Sequence, residues 1–377
     1  MDKIAVTACP DYGEQTVIEA VERQFSLLGL DSLIGPGKRV LIKPNLIGKR
    51  APEQAATTHP MVVRGVIRAL KKRGAEEIVI ADSNGGVYTP SLLRSIYDGT
   101  GMTSAAQAEG ARLNFDTSFE TVSFPQGRRC RQFSIIKPVL EADVIINVAK
   151  LKTHAMTALS GACKNLFGCV PGLQKPELHC RFPHRPEFGE MLTDLCALVA
   201  PAVSLVDGVI AMEGNGPTGG SPRKVGCLIG GENPHAVDLA LCAVTGLDPR
   251  SVPTLESALN RGLAPASLQE LELAGDSLHP FLIPGFKKPD SRSVDFLERL
   301  PCPLRRPASF LLTPKPVIVK SRCVGCNRCG ESCPRHTIQI RNRKAVIDYK
   351  SCIKCYCCHE MCPVKAVDIR RFTFFKL

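Results

Sequence analysis

No apolar run in this chain of 377 residues approaches the roughly 20 residues that a membrane-spanning helix needs, so no membrane segment is expected. The opening residues, MDKIAVTACPDYGEQ, lack the basic stretch followed by an apolar one that marks a secretory signal, and the expected location is cytoplasmic. Tryptophan is absent and aromatic residues make up only 5%, a scarcity that excludes no function by itself. A G-x-x-x-x-G-K-S/T segment is missing, which leaves ATP-driven electron transfer without a phosphate-binding loop. So is the C-x3-C-x2-C run that would suggest radical chemistry on S-adenosylmethionine.

What the chain has in abundance is sulfur: 18 cysteines, which in a reducing compartment read as thiols or metal ligands, not as a disulfide frame. Two runs near the C-terminus carry nine of them. The first, CVGCNRCGESCP, places Cys323, Cys326, Cys329 and Cys333 before Pro334 with the spacing C-x2-C-x2-C-x3-C-P. The same spacing applied to CIKCYCCHEMCP selects Cys352, Cys355, Cys358 and Cys362 and leaves Cys357 spare, read as a packed or partly exposed thiol. Three closely spaced thiolates wrap three corners of a cubane, and the fourth cysteine reaches the other cluster. The expected sets are therefore Cys323, Cys326, Cys329 and Cys362 for one 4Fe–4S cluster, and Cys333, Cys352, Cys355 and Cys358 for the other. Zinc is the competing reading, but zinc sites favour paired C-x2-C knuckles over two three-cysteine wraps. The segments RHTIQI and VKAVDI, one after each run, look like strands of a duplicated fold. This module resembles bacterial two-cluster ferredoxins at all eight ligand positions.

Net charge is +12 and unevenly placed: from Lys315 onward there are 14 Lys/Arg against four Asp/Glu, while the remainder is nearly balanced. An oxidised cluster with four thiolates carries about −2, so two clusters offset part of that surplus. A basic remainder suits an acidic partner such as a ferredoxin or flavodoxin. The positive residues are scattered among cysteines with few aromatics, which does not favour nucleic acid.

The preceding part alternates strand and helix. RVLIKPN reads as a buried strand, HPMVVRGVIRALKKRG as an amphipathic helix with Pro60 in its first turn, and EEIVIADSNGG as the next strand, together one βαβ unit. DVIINVAK, SLVDGVIAM and KVGCLIGG are further strands, and TVSFPQGRRCRQFSI an antiparallel hairpin at an edge. The expected class is α/β, a mostly parallel sheet with helices on both faces, plus a small C-terminal α+β domain of ferredoxin type. The expected division is an α/β domain over 1–279, a linker over 280–314 and the cysteine-rich domain over 315–377.

Polar side chains fall where such sheets bind ligands, at strand carboxyl ends. Lys43, Lys150, Lys152 and His154 are the expected catalytic group, a cationic pocket for a carboxylate or phosphate that could stabilise a developing anion. Asn45, Asp82, Lys164, Asn165, Gly214 and Gly216 are expected to contact a cofactor or ligand. GNGPTG, Gly214 to Gly219, matches G-x-G-x-x-G, but prolines and another strand follow where a pyrophosphate-binding helix would start, so it reads as a glycine-rich ligand or turn loop. Cys163, Cys169, His179, Cys180 and His184 have the residue types of a further metal site, yet their spacing fits no standard set. Flavin has no dependable short signature and is left open.

Together, LIKPN, ADSNG, KLKTHAMTALSGACKNLFG, VDGVIAMEGNGPTGG and NPHAVDLALCAVTG resemble the family called "domain of unknown function 362", in which a C-terminal two-cluster ferredoxin is a common companion. The resemblance implies an iron–sulfur protein of redox metabolism and supplies no reaction. Cys163 stands where that pattern implies an aliphatic residue, which leaves a thiol role open. The expected function is an oxidoreductase that passes low-potential electrons through two 4Fe–4S clusters to an anionic small molecule in the α/β cleft. The alternative is a non-catalytic electron-delivery or maturation partner that docks another redox enzyme.

Overall fold

Buried apolar runs pair into a central sheet, and the amphipathic segments between them cover its two faces. The computed structural model describes residues 1–290 and 313–370. Most of the expected linker, and residues 371–377, thus lie outside the described residues.

The strands of the larger part are β1 (Asp2–Ala8), β2 (Arg39–Pro44), β3 (Glu77–Ile80), β4 (Arg112–Leu113), β5 (Phe119–Ser123), β6 (Gln132–Ile136), β7 (Val144–His154), β8 (Ala158–Ser160), β9 (Val203–Glu213), β10 (Ser221–Gly231) and β11 (Leu271–Gly275). The helices are α1 (Glu14–Leu28), α2 (Pro60–Lys72), α3 (Pro90–Gly99), α4 (Met102–Glu109), α5 (Lys137–Leu140), α6 (Ala162–Asn165), α7 (Gln174–Arg181), α8 (Arg185–Val199), α9 (Pro234–Thr245) and α10 (Pro253–Arg261). The sheet runs in the order β11-β1-β10-β9-β7-β2-β3-β4, with β8 folded back antiparallel on β7. Strands β9, β7, β2, β3 and β4 are parallel, and β10 is antiparallel to both its neighbours.

Alternation along each strand separates two cores. Ile42, Ile146 and Val148 meet α1 and α2 on one face, while Leu41 and Ile145 meet α8 on the other. Farther along that second face, Ala149, Leu151 and Val206 meet α9. The hairpin forms, with Phe119 opposite Ile136 and Ser123 opposite Gln132, but as its own two-stranded ribbon and not as an edge of the main sheet. β6 contributes Phe133, Ile135 and Ile136 to the core and β5 packs Val122 against it, while β4 takes the sheet's edge position.

The C-terminal module is a duplication. Cys323, Cys326, Cys329 and Cys333 correspond to Cys352, Cys355, Cys358 and Cys362 at a constant offset of 29 residues. The one-turn helices Arg328–Glu331 and Cys357–Glu360 obey the same offset. So does the backbone: left-handed residues fall at Gly325 and Lys354, Asn327 and Tyr356, and His336 and Lys365. Such conformations cost non-glycine residues energy and persist where the surroundings require them; here they curl each run so that its sulfurs turn inward. The strand after the first run, Ile338–Arg341, pairs with Lys344–Ile347, and the one after the second, Val367–Arg370, pairs with Lys315–Ile318.

Candidate functional site

Chain order reverses between β2 and β7: β3 and β4 continue to one side of β2, and β9 and β10 to the other side of β7. At such a switch point the loops leaving the carboxyl ends part and open a crevice. The crevice here is lined by Lys43 from β2 and Asn45 just after it, Asp82, Ser83 and Asn84 after β3, Lys152 and His154 from β7, and Lys164, Asn165 and Lys175 from α6 and α7.

Its floor is a buried network. Lys43 Nζ lies 2.7 Å from Asp82 Oδ1, and Asp82 Oδ2 accepts from the Leu46 N–H at 2.6 Å. Asn165 donates to the Lys43 carbonyl and to Asn147 Oδ1, and accepts from Asn45 at 2.8 Å. A β-carbon at Gly168 would overlap Asp82 Oδ1 and stand 2.5 Å from Lys43 Nζ. The glycine of KNLFG is therefore the space in which the ion pair sits.

Three lysines of the crevice, Lys152, Lys164 and Lys175, have no carboxylate partner among the described residues. Lys152, 1% exposed, donates to Asn45 Oδ1 at 2.7 Å and to the Ala56 carbonyl at 2.6 Å, and its remaining proton has no acceptor among the described residues. Burial, aided by the positive charge of Lys164, lowers its pKa to about 7. Lys164 places Nζ 4.6 Å from the Phe167 ring centre, and burial lowers its pKa too. Lys175 differs. Burial pushes it to about 7, but its protons meet the carbonyls of Val170, Ser83 and Asn84 and the Ser83 hydroxyl, which favour the charged form. Its work is to clamp the loop after β3 to the start of α7.

His154 Nδ1 accepts from the N–H groups of Met156, at 3.0 Å, and Thr157, at 3.3 Å. Its proton therefore sits on Nε2, which faces Glu360 Oε1 at 3.2 Å. Burial lowers the His154 pKa to about 4, so the ring is neutral near pH 7. Its Nδ1 is thus engaged by backbone donors, and Nε2 is the ring nitrogen turned to Glu360. His179, 3% exposed, stacks on Phe188 with ring centres 4.3 Å apart, and its Nδ1 has no hydrogen-bond partner. Burial lowers its pKa to about 3.

The remaining wall comes from the cysteine-rich module. Cys357, Glu360 and Met361 line the crevice, and Met361 packs where side chains at Gly85 or Gly86 would otherwise stand. The glycine-rich loop holds this wall in place. His359 Nε2 meets the Asn215 carbonyl at 3.0 Å, Thr218 Oγ1 donates to the His359 carbonyl, and a β-carbon at Gly219 would strike the His359 ring at 2.5 Å. Across the crevice, Arg50 donates to the carbonyls of Cys362 and Pro363. The described start of the linker is fixed to the same loop, with the Gly214 N–H donating to the Lys287 carbonyl at 2.7 Å.

Within the module two separate hollows open. One is lined by Cys323, Cys326, Cys329 and Cys362, the other by Cys333, Cys352, Cys355 and Cys358. Each presents four sulfurs in an otherwise apolar setting, the donor set of a cubane iron–sulfur cluster. Backbone N–H groups already point at the sulfurs: Ala345 to Cys323, Thr337 to Cys333 and Ala366 to Cys362, at 3.1–3.4 Å. Such donors favour thiolates, the form in which cysteine binds metal.

Of the expected catalytic group, the fold brings Lys43, Lys152 and His154 together and sets Lys150 apart. Lys150 Nζ pairs with Asp207 Oδ2 at 2.8 Å and donates to Tyr12 Oη, and Tyr12 stacks on His59 with ring centres 3.5 Å apart. Asn45, Asp82, Lys164 and Asn165 line the crevice, whereas Gly214 and Gly216 do not. A β-carbon at Gly216 would overlap the Thr153 carbonyl, so that glycine serves close backbone packing. Sequence reasoning missed Lys175, Glu360 and Met361, and it placed Cys357 only as a spare thiol. The one signal available for the last was its position inside a ligand run. Cys169 is in the core and His184 is exposed, so with His179 in the crevice the imagined further metal set does not assemble.

Comparison with known proteins adds a family without a chemistry. A family model described as "Domain of unknown function (DUF362)" matches residues 40–243, and a "4Fe-4S dicluster domain" matches residues 315–363. A thylakoid-associated protein of Synechocystis sp. is 33% identical over 276 residues, which span 70% of this chain and 79% of that protein. Two solved structures are similar at greater distance. The lactate racemase apoprotein of Thermoanaerobacterium thermosaccharolyticum has 16% identity, covers 66% of this chain and 58% of its own, and gives a TM-score of 0.40. A Thermotoga maritima protein has 14% identity, with coverage of 60% and 57% and a TM-score of 0.36. The chain thus spans under two-thirds of the length of either solved protein, and neither lends it a reaction. No helix among the described residues is long and apolar enough to cross a membrane.

Proposed function

For a chain that belongs to the domain of unknown function 362 family and ends in a 4Fe-4S dicluster domain, we propose an oxidoreductase that delivers low-potential electrons to an anionic small molecule bound in the crevice. Two 4Fe–4S clusters, held by the two cysteine sets above, supply one-electron transfer when bound. The observation that carries the reading is the shared wall. Cys357, between the ligands Cys355 and Cys358, lines the crevice together with Lys152 and Lys164. A ligand in the crevice is therefore in contact with the segment that holds the second cysteine set.

The residues divide the work. Lys152 and Lys164 attract the anion, and Lys152, with its pKa near 7, is the group able to give up a proton to a reduced product. Lys43 and Asp82 fix the floor, and His154 and Glu360 fix the wall. Electron uptake is assigned to the hollow of the first cysteine set, where Cys326 is exposed beside Val324, 62% exposed, on the basic module. That surface suits an acidic ferredoxin or flavodoxin.

The test begins with protein purified without oxygen, its iron and sulfide counted and any organic cofactor identified. About eight irons per chain are expected, retained in Cys357→Ser and reduced in Cys358→Ser. Reduced protein should then be reoxidised by particular small anions, and that response should be lost in Lys152→Met. Reoxidation indifferent to every anion, with a stable protein complex recovered instead, would move the assignment to electron delivery for another enzyme. Zinc in place of iron in the C-terminal module would sink both readings.

A further inference from the structure

We propose that Cys163, Cys196 and His235 form an additional metal site, holding one zinc ion behind the crevice. Their ligand atoms lie within 4.8 Å of one another. Two thiolates on one tetrahedral zinc at about 2.3 Å stand about 3.8 Å apart, so the side chains need close by no more than about 1 Å. All three are buried: Cys163 is 1%, Cys196 4% and His235 5% exposed. His235 Nδ1 is buried and has no hydrogen-bond partner. An unpaired buried nitrogen costs about 1–3 kcal/mol, and a metal ligated by the ring accounts for it.

Charge favours the ion as well. Two thiolates, a neutral imidazole and a divalent cation sum to zero, the net charge that a buried site tolerates best. A disulfide between the two cysteines would leave the imidazole nitrogen as unpaired as before. Thiolate and imidazole donors select a soft or borderline ion, and three protein ligands leave a fourth tetrahedral position for a small ligand.

The ligands come from three helices: Cys163 from α6, Cys196 from α8 and His235 from α9. Asp238, one turn beyond His235, accepts from the N–H groups of Ala162, at 2.6 Å, and Cys163, at 3.1 Å, which fixes the backbone of α6 toward α9. Cys163 immediately precedes Lys164 and Asn165. The ion would thus tie the helix that carries two crevice residues to the two helices behind it. The proposal rests on this geometry alone and stands whether or not the crevice reduces anything.

The test is elemental analysis of the full chain, with the C-terminal iron as internal reference. Wild-type protein should hold about one zinc per chain after exhaustive treatment with an external chelator. Cys196→Ser and His235→Gln should each lose it, with iron content unchanged and a lower Tm. Protein grown with cobalt should show thiolate-to-cobalt absorption in the wild type and none in either variant. Wild-type protein with full iron and no zinc overturns the proposal. So does a Cys163–Cys196 disulfide found by mass spectrometry of protein alkylated before digestion. If one variant fails to fold, the wild-type zinc content and the other variant still decide.

Discussion

Replacing Lys152 by methionine tests the electrostatics of the crevice most directly. The side chain is 1% exposed, has no carboxylate partner among the described residues, and donates only to Asn45 Oδ1 and the Ala56 carbonyl. A charge-assisted hydrogen bond from such an ammonium to a bound anion contributes about 1.5–3 kcal/mol, or a factor of roughly 10–150 in affinity. Methionine keeps the stem and removes the charge. Sulfate is a suitable probe because it does not titrate between pH 6 and 9, and calorimetric titration reads its affinity. With the lysine pKa lowered to about 7, wild-type affinity should hold below that pH and fall up to tenfold per unit above it, until the lysine's contribution is gone. The variant should bind weakly at every pH. Stability moves the other way. Because the folded pKa lies below the unfolded one, the unfolded chain binds more protons between about pH 7 and pH 10.5, and this residue's contribution to stability rises with pH across that window. The wild type should therefore gain on the methionine variant as pH climbs from 7 to 10, by roughly 5 kcal/mol at most. Sulfate binding that is flat with pH in the wild type, or equal in both proteins, would refute the reasoning.

Two further substitutions separate scaffold from site. Lys150→Met leaves Asp207 buried without its cation, so chemical denaturation should report a loss of about 3–5 kcal/mol, while sulfate affinity of the folded fraction stays within twofold of wild type. Gly168→Ala forces a methyl group into the Lys43–Asp82 pair; overpacking of this kind costs about 1–3 kcal/mol, and anion binding should weaken because the floor of the crevice shifts.

Much of this was legible in the chain because it depends on short range. Cluster ligation is set by intervals of two and three residues, so both cysteine sets could be written down from spacing, and the structure gathers those same residues around two hollows. The βαβ rhythm is equally local, since period and punctuation distinguish buried strands from amphipathic helices. Spacing could not separate Lys150 from Lys152, two residues apart on one strand. Only the pairing of β7 with β9 does so: Lys150 stands opposite Asp207, the register breaks, and Lys152 stands opposite Met212. That irregularity gives one lysine to a carboxylate and frees the other for the crevice.

The glycine-rich loop, expected as a ligand or turn loop, shows a related limit: it packs on the His359 ring, a partner 140 residues away. Cys357, Glu360 and Met361 joined the crevice by the same docking, and Cys163 met Cys196 and His235 only through the packing of three helices. The sequence by itself determined the elements and the two cysteine sets, whose spacing is written over a few neighbouring residues. The tertiary structure alone decided which charges stay unpaired and which surfaces meet, because both depend on contacts between segments that no local pattern brings together.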